Sequence, residues 1–249
     1  MFEFSSFLSW FYWAAGAYAG SFLFFLLSRQ RVAVAFIAAG LLPHTVGILE
    51  RSRHLGTFTP LNLFSELYFL PWLLALAVLF LSASQGISRT TLSLILPLCF
   101  FTALDVLLPV TITSPSPLSS TAFAPAFFCT EVMAHALFIM AGWQAFLFLS
   151  GRTEELSFNR YAVWGFIVYS ISQVLGAVWS CLGWSLPFHW GERHFITAAI
   201  WCFYCAYLHL QFSNRWSAQG KARMALAGAL IMFVATYAYY LEELGAKHG

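Results

Sequence analysis

The chain has 249 residues, of which 60% are hydrophobic and 9% charged, with a formal net charge of +2. Soluble domains carry roughly a quarter of their residues as charges, so this composition excludes a soluble domain of ordinary size. The twelve Lys and Arg are scattered in short islands, which leaves no basic patch for nucleic acid.

Those islands (Arg29 and Arg31, Arg51 and Arg53, residues 152–160, residues 215–223) leave about eight apolar gaps, each able to hold a helix of about 20 residues. In chain order the expected spans are 7–27, 32–50, 66–83, 91–110, 131–150, 161–180, 195–212 and 222–240. A β-barrel strand would alternate apolar and polar residues, whereas 22–27 and 94–101 are continuously apolar. The expectation is therefore an all-α membrane protein. It is a polytopic bundle of about eight transmembrane helices, with residues 1–249 forming a single transmembrane domain.

Lys and Arg set the orientation. The connections after the first, third, fifth and seventh spans hold Arg29, Arg31, Arg89, Arg152, Arg160, Arg215, Lys221 and Arg223. The others hold only Arg51, Arg53, Arg193 and Lys247. The first set is placed in the cytoplasm, and the N and C termini outside. The five cysteines lie in or beside apolar segments, so a disulfide framework is not expected. Cys202 and Cys205 form a C-x-x-C inside the seventh span, read as packing rather than redox chemistry.

A charged group in the hydrocarbon layer costs about 2.5–3.5 kcal/mol, so each ionisable residue inside a span needs a reason. These are His44, Glu66, Asp105, Glu131, His135 and His209. Glu66 can cap the third span and Asp105 can pair with a neighbouring helix. Neutral imidazole tolerates burial and offers a lone pair to a metal. His44 falls in the second span, beside Pro43, and His209 near the cytoplasmic end of the seventh. His135 opens the fifth span just below the outer surface, and His248 follows the last span in the tail 245–249. Two histidines at one outer level are what a bis-imidazole haem site needs. For each of them the alternative is a hydrogen-bonded packing residue, or a solvated one in the tail. His54, His189 and His194 fall in connections and keep the solvated reading.

Between the sixth and seventh spans, an outer aromatic loop at about 181–194 follows Trp179 and carries Trp184, Phe188, His189 and Trp190. Tryptophans at an interface form an ordinary belt. So many in one loop would equally make a flat apolar platform for a porphyrin edge.

The segment Gly176-Ala-Val-Trp179, with Trp184, Trp190, Trp201 and Tyr207-Leu-His209, resembles the tryptophan-rich haem-handling motif of the CcsA/CcmC-type cytochrome c assembly proteins. His44, Pro60-Leu-Asn62 with Ser65-Glu66-Leu67, His135 and a histidine after the last helix agree in order, so the resemblance covers about 200 residues. It implies a haem-binding protein of the bacterial inner membrane that moves or presents non-covalent b-type haem at the outer face for cytochrome c maturation. By resemblance His135 and His248 are outer axial ligands, His44 and His209 hold haem within the bilayer, and Trp179, Trp184 and Trp190 grip the macrocycle. The implied partners are membrane lipid, an assembly protein and apocytochrome c. No side chain is expected to be catalytic alone; thioether formation would rely on a partner, in a haem ligase system.

The family loop usually ends Trp-Asp-Pro-Lys-Glu, where this chain has Trp190-Gly191-Glu192-Arg193-His194, and Phe188 stands where a tryptophan is usual. These departures bear on haem attachment more than on fold. Two alternatives stay open: a subunit that exchanges electrons between quinol and a c-type cytochrome through b-type haem, and a protein that has kept the fold without haem. Solute transport ranks below them because no internal repeat is visible.

Overall fold

The computed structural model describes residues 4–55, 63–107, 121–188, 191–213 and 215–248, without the side chains of 4–7, 55, 63–67, 192–193 and 238–248. Every regular element among them is helical: α1 (Phe4–Leu26), α2 (Gln30–Leu55), α3 (Leu63–Gln85), α4 (Arg89–Leu92), α5 (Ile95–Leu107), α6 (Phe123–Leu149), α7 (Ser157–Trp184), α8 (Glu192–Gln211) and α9 (Ala218–His248). Among the described residues, five stretches are long and apolar enough to cross a bilayer: Gln30–His54, Tyr68–Gln85, Arg89–Leu107, Phe123–Leu149 and Ser157–Trp184. The all-α polytopic architecture agrees with the sequence.

The fourth expected span is divided into α4 and α5, and Pro97 explains the break. It has no N–H for the Ser93 carbonyl four residues earlier, which accepts Leu96 N at 3.0 Å instead. Ser88 caps α4 by accepting Thr91 N at 3.0 Å.

Four boundaries correct the expectation. The fifth expected span begins at Phe123 rather than 131, because Pro125 occupies the first turn, where a missing N–H costs nothing. His135 therefore does not open its helix: it lies twelve residues in, about 18 Å along the axis at 1.5 Å per residue. At the C-terminus α9 continues to His248, so this residue ends a helix rather than standing in a tail. His194, expected in a connection, belongs to the first turn of α8, and His54 to the last turn of α2.

The chain forms two compact units, Met1–Ser120 and Thr121–Gly249. In the first, α1 packs along α2, with α3 and α5 completing the core. In the second, α6 is flanked by α7 and α9, with α8 against α9. α7 shows how an apolar helix meets lipid. Trp164, Ile167, Ile171, Val174, Val178 and Leu182 are exposed and recur every three or four residues, forming one apolar stripe.

Candidate aromatic haem site

In the second unit, α7 and α8 run antiparallel, joined by three polar links. Tyr207 Oη donates to Asn159 Oδ1 at 2.6 Å, Trp201 Nε1 to Ser170 Oγ at 3.0 Å, and Tyr169 Oη to the Thr197 carbonyl at 3.3 Å. Each satisfies a polar group that would otherwise be costly away from water. Together they fix the register of the two helices, and so the shape of the space between the end of α7 and the start of α8. At that end Ser185 turns the chain in a left-handed conformation (φ 60°), and Ser180 Oγ donates to the Leu186 carbonyl at 2.7 Å.

These constraints leave a cavity of about 410 Å³ among α6, α7, α8 and the intervening loop, within the range of about 300–1,000 Å³ usual for small-molecule sites. Its walls are mostly apolar and aromatic. Trp179 stacks on Phe127 of α6 (centroids 6.1 Å, planes 22° apart) and meets Trp184 edge to face at 5.5 Å. Gly176 makes the α6–α7 approach possible, since a Cβ there would stand 3.0 Å from the Phe127 ring. Across the cavity lie Trp201, Cys202 and His194 of α8, and Phe188 closes the loop side, edge to face with His194 at 5.1 Å. Phe188 thus supplies an aromatic wall where the resemblance expects tryptophan. Among the described residues no three His, Cys, Asp or Glu side chains gather to hold a metal ion. A porphyrin carries its iron on its own nitrogens and asks the protein only for axial ligands, so an apolar slot with an imidazole at its edge fits that group.

The expected site residues separate. Trp179 and Trp184 line the cavity, whereas Trp190 lies outside the described residues. His135 is buried in α6, tilted against Tyr169 at 5.9 Å, and is not among the cavity's lining residues. Glu131, also buried, precedes it by one turn on the same face. His209 is exposed in the last turn of α8, with Nδ1 2.9 Å from the Cys205 carbonyl. That carbonyl makes Nδ1 the donor and leaves the lone pair on Nε2. The backbone of His248 ends α9, but its side chain lies outside the described residues. All five cysteines are free thiols.

His44 belongs to the first unit and is fully engaged there. Nε2 lies 3.0 Å from the Tyr68 carbonyl, which can only accept, so Nε2 carries the proton and Nδ1 accepts from Tyr18 Oη at 3.2 Å. Phe11 meets the imidazole edge to face at 5.3 Å. Gly40, one turn before His44, admits the Tyr18 ring, which would stand 2.7 Å from a Cβ.

Phe127 is a cavity residue that the sequence reading did not name, and His194 and Cys202 are cavity residues that it read as solvated and as packing. The available signal was spacing: His194, Ala198, Trp201 and Cys202 stand at i, i+4, i+7 and i+8, one face of a helix that begins near Gly191.

Comparison with known proteins finds several curated relatives. The cytochrome c biogenesis protein CcsA of Prochlorococcus marinus (strain MIT 9303) is 26% identical over 273 residues, covering 88% of this chain and 84% of that protein. CcsA of strain AS9601 is 31% identical over 85 residues, 34% of this chain and 27% of that one. CcsA of Synechococcus sp. (strain RCC307) is 29% identical over 97 residues, 39% and 31%. No family model matches the chain. Over 88% of its length the chain is thus similar to a cytochrome c biogenesis protein, which agrees with the resemblance read from its motifs.

Proposed function

We propose that this chain is a haem-handling membrane component of cytochrome c biogenesis, which holds non-covalent haem in the aromatic cavity of its second unit and presents it at the outer face of a bacterial inner membrane. The observation that carries this reading is the cavity itself, walled by Trp179 and Trp184 and formed by the same segment that resembles the tryptophan-rich motif. Rings of this kind hold a macrocycle by stacking and edge contact. The relatives' name supports the process, cytochrome c biogenesis. The ligand assignments implied by resemblance are the starting set: His135 and His248 outside, His44 and His209 within the membrane, with Trp190 completing the grip. Delivery to apocytochrome c, and the bond that attaches haem there, fall to partner chains.

Absorption spectra of the purified protein, oxidised and dithionite-reduced after expression with ample haem, test the reading. Sharp low-spin bands are expected, together with transfer of that haem to added apocytochrome when the assembly partner is present. A colourless protein under these conditions refutes the proposal.

A further inference from the structure

We infer that His194 supplies an axial imidazole to the haem in the aromatic cavity, at the position the resemblance gives to His135. The inference rests on the haem reading above and deepens it. His194 is the histidine that lines the cavity among the described residues. Its place is set twice over: the first turn of α8 carries it, and Phe188 meets its ring edge to face. Trp179 and Trp184 line the cavity from α7, and Phe127 from α6. A flat ligand held among these rings has the imidazole beside it on the α8 side. His135 is buried deeper in α6, packed on Tyr169. The departure from the family loop acquires a chemical sense here: the chain has an imidazole where the usual loop ends in glutamate, and imidazole is a neutral nitrogen donor suited to haem iron.

The test uses the full-length protein purified with haem, as wild type, His194→Ala and His135→Ala. The expected result is a low-spin wild type, a His194→Ala protein converted to high-spin bands, and return of the low-spin spectrum when free imidazole is added to that variant. Rescue by imidazole reads ligation directly, because a purely structural role would not respond to it. The inference is overturned if His194→Ala keeps the wild-type spectrum while His135→Ala loses it. It is also overturned if His194→Ala loses haem and imidazole restores nothing. A wild type without haem would instead refute the function proposed above, and is distinguishable because no variant is needed to see it.

Discussion

The two units set their histidines in opposite surroundings. In the first, both nitrogens of His44 are taken, one by the Tyr68 carbonyl and one by the Tyr18 hydroxyl, and Phe11 covers the ring. In the second, His194 borders a cavity of about 410 Å³ walled by aromatic side chains. A histidine inside a membrane protein is thus no ligand by virtue of depth alone. What matters is what surrounds its ring: two hydrogen-bond partners and a phenyl edge for His44, an aromatic-walled cavity for His194. For His44 to hold haem in transit, Tyr18 would have to rotate its hydroxyl away, opening a core that is closed in this structure.

The largest expected effect follows from that closure. His44→Ala leaves the Tyr68 carbonyl and the Tyr18 hydroxyl without their partner, at about 1–3 kcal/mol for each buried group left unpaired. Thermal unfolding in detergent should show the melting temperature of the variant falling by several degrees, while the spectrum of haem in the second unit stays unchanged. A variant of normal stability that binds less haem would break the contrast, and would make His44 a ligand after all.

The sequence exposed the helices and hid the site's geometry for the same physical reason. Apolar length and charge islands report where chain can enter a bilayer, and among the described residues each of the eight expected spans is helical, the fourth divided into α4 and α5. Helix ends depend on subtler chemistry. Pro125 is tolerated in the first turn of α6, so the helix begins eight residues before the expected span and His135 lies inside it rather than at its start. Gly191 opens α8 as its N-terminal cap without a side-chain hydrogen bond, so no capping residue marked the start of the helix that carries His194. Trp179 and Trp184 were legible because aromatic density is a property of composition. Phe127 was not, since it lies 52 positions from Trp179 and only folding brings the two rings together.

Trp179→Ala should have the next largest effect, and in the opposite unit. The substitution removes contacts with Phe127, Phe128 and Trp184, each aromatic pair contributing about 0.5–1.5 kcal/mol. Titration with haem is expected to show affinity about tenfold weaker or worse, since 1.4 kcal/mol is about a factor of ten. Trp179→Phe should recover part of the loss. Unaltered affinity in both variants would mean that the rings pack the helices and do not hold the ligand.

The smallest effect sharpens the comparison most, because it makes the same change in both units. At Gly40 a new Cβ would stand 2.7 Å from the Tyr18 ring and 3.0 Å from Ala17 Cβ, and Tyr18 cannot yield without straining its hydrogen bond to His44. At Gly176 the new Cβ meets Phe127 at 3.0 Å, but Phe127 borders the cavity and has room to shift by a few tenths of an ångström. Replacing Gly by Ala in a helix gains up to about 1 kcal/mol of intrinsic propensity, which offsets the strain at Gly176 and not at Gly40. Gly40→Ala should therefore lower the melting temperature and leave haem binding alone. Gly176→Ala should leave the melting temperature nearly unchanged and weaken haem binding by less than about fivefold, an effect under about 1 kcal/mol. If both variants lost stability equally, Phe127 would be as confined as Tyr18, and the space beside it too rigid to adapt to a ligand.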